Sequence, residues 1–295
     1  MKILITGAEG QLGKAIIACK PNNFDLIIST KSDLDLRNRS LCLEKILFYK
    51  PDWIINCGAY TKVDKAEDDP ELAFSINTDS IQYISEALRK INGRLLQIST
   101  DYVFDGTKNQ PYKPNDAINP INVYGRSKAA AEKIIENVFD NDGGGLIIRT
   151  SWLMGSSGDN FALKILSLLE ERDTLSIVCD QIGSPTTTFS LARICWKAIE
   201  KYNLDKKSSF PKILHWSDAG VASWYDVAVA LKDIGLELGF LKHPGKIIPI
   251  KSEFYQSKAK RPEFSLLDSK ETHDLLDVNY EHWRKQLYEI FKDLI

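Results

Sequence analysis

The sequence predicts an α/β fold, a doubly wound parallel sheet with a smaller C-terminal domain. Three observations predict it. Short apolar runs recur at 2–6, 26–29, 53–57, 94–99 and 145–150, each but the last followed by a stretch with helical spacing, and such alternation lays strands parallel with helices on both faces. Glycines stand at 7, 10 and 13, directly after the first run. The chain of 295 residues is 43% hydrophobic and 26% charged, a globular balance that excludes a disordered or collagen-like chain.

Each element has its own signal. The run KILIT at 2–6 meets glycine at once, as buried parallel strands do. Residues 11–20 read as a helix that Pro21 ends. Residues 26–29 read as a second strand, 40–49 as a helix with Leu41, Ile46 and Leu47 on its apolar side, and 53–57 as a third strand. Pro70 suits a first helical turn and opens a helix to about Lys90. The run RLLQIS at 94–99 is the fourth strand, 121–137 a helix, and 145–150 a fifth strand after three glycines. Beyond residue 150 the pattern loosens, with strands expected at 213–216 and 246–250 and helices near 159–171, 188–201, 223–236 and 280–294.

Composition excludes several functions. The 38 Lys and Arg against 40 Asp and Glu leave a formal charge of −2, with no basic excess to attract nucleic acid and no basic run for a membrane surface. Cys19, Cys42, Cys57, Cys179 and Cys195 are widely spaced and odd in number, which reads as reduced thiols, mostly in the core, without a zinc site. The first strand starts at residue 2 and no apolar run approaches the ~20 residues of a membrane span. A cytoplasmic protein is expected.

Ligands of such sheets bind at the carboxyl ends of the strands. There Gly7, Gly10 and Gly13 form G-x-x-G-x-x-G between strand and helix. Glycine permits the tight turn and a close approach of backbone to a pyrophosphate, and the helix offers unpaired N–H groups to phosphate. A Rossmann-like dinucleotide-binding domain over 1–152 follows, with 153–295 mainly substrate-binding and the chain returning to the first domain near 180–202. After the second strand, Lys31 suits a 2′-phosphate whereas Asp33 and Asp35 suit free ribose hydroxyls, so NADPH and NADH both stay open.

Tyr124 and Lys128 lie four apart on a predicted helix and share a face. A nearby ammonium favours a phenolate, making the pair a candidate general acid for carbonyl reduction. Tyr202–Lys206 and Tyr288–Lys292 share the spacing, but lie in the irregular half and read as solvated faces. Tyr124 is set apart by its place after Ser99, Thr100 and Asp101, where a hydroxyl can hold a carbonyl oxygen as charge develops.

The strings ITGAEGQLG at 5–13, INCGAYTKVDKAE at 55–67, STDYVFDG at 99–106, YGRSK at 124–128, RTSW at 149–152, GSPT at 183–186 and RPEFSLLD at 261–268 resemble the dTDP-4-dehydrorhamnose reductase family of the extended short-chain dehydrogenase/reductase superfamily. The resemblance spans nearly the whole chain. It implies that Gly10, Gln11 and Leu12, with Gly7, meet the cofactor pyrophosphate, that Asp35 and Leu36 lie by the adenine, and that Gly58, Ala59 and Tyr60 line the cofactor. It implies Tyr124 as proton donor, Lys128 on the nicotinamide ribose, Thr100 and Asp101 against the sugar, and Trp152 stacked near the substrate. Asn77 resembles the asparagine that completes the superfamily's proton relay, and Arg261 suits a substrate pyrophosphate. Gly58-Ala59 replaces the two alanines common in the family. Some members hold Mg²⁺ between subunits through glutamates, one of them just after the glycine motif; here Lys14 and Ala15 stand there, so no metal is expected, and a homodimer stays open.

The resulting expectation is reduction of the C4 ketone of dTDP-4-dehydro-β-L-rhamnose to dTDP-L-rhamnose by NADPH or NADH, NADPH slightly preferred. The alternatives are another 4-keto-6-deoxy nucleotide sugar, or a non-catalytic NADP-binding regulatory subunit.

Overall fold

A computed structural model describes residues 1–140, 143–204 and 210–292. The first half runs β1 (Lys2–Thr6), α1 (Gln11–Ala18), β2 (Asp25–Ile28), α2 (Arg39–Tyr49), β3 (Trp53–Asn56), α3 (Val63–Asp68), α4 (Pro70–Phe74), a π-helical turn (Ser75–Asp79), α5 (Ser80–Ile91), β4 (Arg94–Thr100), a 3₁₀ turn (Asp101–Val103), α6 (Val123–Val138) and β5 (Gly145–Thr150). The second half runs β6 (Leu153–Met154), α7 (Phe161–Glu171), β7 (Thr174–Val178), β8 (Ile182–Gly183), β9 (Thr186–Thr187), α8 (Thr188–Leu204), β10 (Ile213–Trp216), β11 (Ala222–Ser223), α9 (Trp224–Glu237), β12 (Lys246–Ile250), α10 (Lys270–Leu276) and α11 (Trp283–Lys292).

The five expected strands form one parallel sheet, joined at its edge by β10, in the order β10-β5-β4-β3-β1-β2. Side chains of a strand alternate between faces, and here each face has its own core. Ile3, Ile5, Ile55 and Leu96 pack with Ile16 of α1 and Leu191 and Cys195 of α8. Leu4, Ile54, Leu95 and Ile147 pack with Ile46, Ile84 and Ile135 of α2, α5 and α6. A further core joins Ile165, Leu231 and Leu287 of α7, α9 and α11 against Leu175 of β7.

Several details differ from the sequence pattern. The helix expected over 70–90 is α4, the π turn and α5 in succession, preceded by the unexpected α3. Helix α10 was also unexpected. Residues 293–294 of the last expected helix lie outside the described residues, as does Lys206. Tyr202 is not on a solvated face: it is buried edge-on against Trp53 and donates a hydrogen bond to the Gly143 carbonyl. A large aromatic near the end of a core helix finds more apolar area inside than out. Cys42 and Cys195 are buried and the other three cysteines half-buried, all as free thiols.

The sheet reverses its order between β1 and β3, the place where such folds open a ligand crevice. Among the described residues, no helix is long and apolar enough to cross a membrane.

Candidate active site

The crevice is built on close backbone contact. Gly7 adopts φ +62°, and a Cβ there would lie 2.6 Å from the Gly58 nitrogen; a Cβ on Gly13 would lie 2.4 Å from the Gly7 carbonyl oxygen. Side chains at either position would push the loop off β3 and α1. Gly10 precedes α1 and gives it no side-chain cap, so the first-turn N–H groups keep their capacity for an anion. Two adjoining cavities of about 520 and 570 Å³ meet at Gly10, Cys57 and Ala59. The pair offers room that could hold the two halves of a dinucleotide on either side of the glycine turn.

The first cavity gathers Gly10, Gln11, Leu12, Ala59, Thr100, Asp101, Tyr124, Lys128 and Trp152. The second gathers Gly7, Lys31, Asp35, Leu36, Gly58 and Tyr60. Asp35 accepts from Arg37 Nε at 3.0 Å and Nη2 at 2.5 Å, and this pairing holds its carboxyl down to about 2. Arg37, Lys62 and Lys65 line the same cavity, Lys65 from α3; as scattered single basic residues they gave no sequence signal.

Tyr124 is placed by its neighbours. Asn122 caps α6, accepting from the Gly125 N–H at 2.7 Å, and donates to the Lys260 carbonyl at 2.8 Å. Glu67 of α3 accepts from the Val123 N–H at 2.7 Å. A Cβ on Gly125 would lie 2.2 Å from the Tyr102 carbonyl oxygen. Glycine therefore lets the first turn of α6 press on the 3₁₀ turn after β4, and Tyr124 meets Tyr102 edge-on with ring centres 5.8 Å apart.

Tyr124 faces the Thr100 side chain, whose hydrogen bonding offsets part of the rise that burial imposes; its phenol is pushed up to about 12. The sequence expectation was a phenol lowered by Lys128. The Lys128 ammonium instead donates to the Ile98 carbonyl at 2.6 Å, and burial brings it down to about 8. Ser99 turns away from the reacting end and donates to Glu132. Glu132 is paired with Arg149 at 2.7 Å, both side chains almost wholly buried. Asn77 sits in the π turn, where its Oδ1 accepts from the Tyr60 N–H at 2.8 Å and its Nδ2 donates to the Tyr60 carbonyl at 3.1 Å and to Ser127 Oγ at 2.9 Å.

Trp152 holds the left-handed conformation, φ +45°, a strain that persists only where surroundings enforce it. It stacks on Trp224 with ring centres 3.7 Å apart, and both line the first cavity. Trp224 was invisible to sequence reasoning because it opens α9, 72 positions downstream, with no motif around it. Arg261 lines neither cavity; its Nη2 donates to Asp64 Oδ2 at 2.7 Å.

Comparison with known proteins places these features in a family. The model described as "RmlD substrate binding domain" matches residues 1–295. A dTDP-4-dehydrorhamnose reductase of Aggregatibacter actinomycetemcomitans is 35% identical, covering 98% of both chains. A dTDP-4-keto-6-deoxy-D-glucose reductase of Streptomyces niveus is 31% identical, covering 98% of this chain and 96% of its own. The crystal structure of a Bacillus anthracis dTDP-4-dehydrorhamnose reductase in complex with NADP superposes with a TM-score of 0.89 at 32% identity, over 99% of both chains. The chain belongs to the dTDP-4-dehydrorhamnose reductase family.

Proposed function

We propose that this protein reduces the C4 ketone of dTDP-4-dehydro-β-L-rhamnose to dTDP-L-rhamnose, with Tyr124 as proton donor. The observation that carries the reading is the convergence of Tyr124, Thr100 and Lys128 in one cavity that continues into the glycine turn. NAD(P)H supplies the hydride when bound. Gly7, Gly10 and the first turn of α1 would take its pyrophosphate, and Lys128 its nicotinamide ribose. Thr100 holds the ketone oxygen, and Tyr124 delivers the proton. The high pKa of the buried phenol keeps it protonated at neutral pH, and an alkoxide is the stronger base, so the transfer runs downhill. Trp152 and Trp224 form a flat aromatic wall suited to the nucleotide-sugar.

NADPH is the preferred cofactor in this reading. Lys31, Arg37, Lys62 and Lys65 line the second cavity, and Arg37 already neutralises Asp35, so a 2′-phosphate meets net positive charge. The test is NADPH and NADH oxidation with dTDP-4-dehydro-β-L-rhamnose and, because of the Streptomyces relative, with dTDP-4-keto-6-deoxy-D-glucose. Tyr124→Phe should lower turnover by roughly 10²- to 10⁴-fold while NADPH still binds. Wild-type turnover in that variant would overturn the assignment.

A further inference from the structure

Gln11 touches both halves of the molecule. It is the first residue of α1, beside the uncapped Gly10, so its backbone sits at the turn proposed for the cofactor pyrophosphate. Its side chain reaches the segment 153–160, which carries β6 and leads into α7. Gln11 Nε2 donates to the Leu153 carbonyl at 3.4 Å, and its Oε1 accepts from Asn160 Nδ2 at 3.3 Å. Asn160 caps α7, its Oδ1 accepting from the Leu163 N–H at 3.1 Å. Its Nδ2 also donates to the Gly155 carbonyl at 3.0 Å and the Ser157 carbonyl at 3.3 Å. Glycines allow the close approach. Gly158 holds φ +86°, and a Cβ there would lie 3.4 Å from Gln11 Cβ; a Cβ on Gly155 would lie 2.8 Å from Thr188 Oγ1 and 3.3 Å from Gln11 Oε1.

The segment that Gln11 holds belongs to the substrate side. Leu153 directly follows Trp152 of the aromatic wall, and Gln11, Trp152, Leu153, Gly158 and Asn160 all line the first cavity. We infer that Gln11 is a positioning residue that couples the two ligands, so that cofactor seated on α1 raises the affinity for the nucleotide end of the sugar nucleotide. The inference rests on the reductase reading above.

Both Gln11 contacts leave room to tighten. They are longer than the ~3.2 Å at which the usual range of N–H···O bonds ends, and the two N–H groups of Asn160 are divided among three acceptors. The segment is therefore held loosely at Gln11. A pyrophosphate on the first-turn N–H groups of α1 would fix the Gln11 backbone and with it the reach of its side chain. The rotamer freedom that Gln11 and Asn160 give up is then lost when the cofactor binds. The second ligand meets the Trp152 wall and the α7 cap already in place. Ordering done for one ligand and used by the next is positive coupling, and it is reciprocal by linkage.

The experiment measures dTDP binding by calorimetry, without NADP⁺ and with NADP⁺ at saturation. dTDP carries the nucleotide end and no sugar to touch the nicotinamide, so the factor between the two affinities reports on the protein. In wild type, dTDP should bind roughly five- to tenfold tighter when NADP⁺ is present, and NADP⁺ should gain the same factor from dTDP. Gln11→Ala keeps the backbone N–H and removes both side-chain bonds. Its factor should fall to about one, whatever happens to either affinity alone. Asn160→Ser keeps a residue able to cap α7 and loses the Gln11 contact from the other side. It should lose the factor too, and combining it with Gln11→Ala should bring no further loss. Thermal unfolding checks that each variant is folded. A wild-type factor of one or less, or a factor that survives in Gln11→Ala whether or not Tm falls, would overturn the coupling and leave Gln11 a tether. Absence of both dTDP binding and ketone reduction in wild type would instead overturn the reductase reading.

Discussion

At the scale of single residues, burial sets the chemistry more than pairing does. Lys128 is buried, and only its ammonium form can hold a ribose hydroxyl as a triple donor. Its pKa has come down from 10.5 to about 8, so the charged form is present below about 8 and is lost as pH rises through it. The kcat/KM for NADPH, which reports the free enzyme, should therefore fall above about pH 8, and the limb should be missing in Lys128→Met. A flat profile to pH 9.5 in the wild type would refute it. The linkage sign differs for stability: between about 8 and 10.5 the unfolded chain binds the proton more tightly, so this group adds stability as pH rises there. The four-residue spacing of Tyr124 and Lys128 was legible in the sequence but did not distinguish them from Tyr202 and Lys206. Its place after Ser99, Thr100 and Asp101 set Tyr124 apart in the sequence; what fixes it there is contact, namely Gly125 against Tyr102 and Glu67 on Val123. Such contacts join segments far apart in the chain and leave no periodic trace.

At the scale of elements, the strands of the main sheet were read most securely, because a parallel strand buried on both faces is a short unbroken apolar run, whereas β7, half exposed, and the two-residue strands gave no such run. Helix α4, the π turn and α5 read as one uninterrupted helix, since a π turn inserts a single extra residue without altering composition. That insertion carries Asn77, whose amide bridges the Tyr60 backbone and Ser127 of α6. The turn thus fixes the loop after β3 to the helix that bears Tyr124. Asn77→Ala should release that loop. Three hydrogen bonds are lost, one buried and two part-buried, and unfolding measurements should record a loss of about 1–3 kcal/mol. Fluorescence titration should show NADPH binding weakened roughly tenfold, the equivalent of about 1.4 kcal/mol. Unchanged NADPH affinity alongside the stability loss would reduce Asn77 to a structural bolt with no bearing on the cofactor loop.

At the scale of the whole molecule, the segment 257–268 stitches the two halves together across the mouth of the site. Asp64 of α3 accepts from Ser257 Oγ at 2.8 Å, the Ala259 N–H at 3.0 Å and Arg261 Nη2 at 2.7 Å. Further along, Tyr112 and Leu267 form a bridge, as do Ile182 and Phe264. The sequence marked RPEFSLLD as a motif, and phosphate recognition was expected of Arg261; the intramolecular partner lies 197 positions away, beyond any local pattern. Asp64 is 42% exposed and Arg261 19%, so the ion pair alone is worth at most about 1 kcal/mol, and the added backbone bond brings the latch to about 1–2 kcal/mol. Asp64→Ala should lower Tm by a few degrees, at about 2–4 °C per kcal/mol for a large single chain. It should also raise KM for the nucleotide-sugar roughly fivefold, about 1 kcal/mol, because α3 and the 3₁₀ turn after β4 lose their common tether. The KM for NADPH should stay put, since Asp64 lines neither cavity. The opposite result is just as readable. If freeing Arg261 lowers KM for the nucleotide-sugar, Asp64 is holding a phosphate ligand in reserve, and the latch is a competitor of substrate rather than its support.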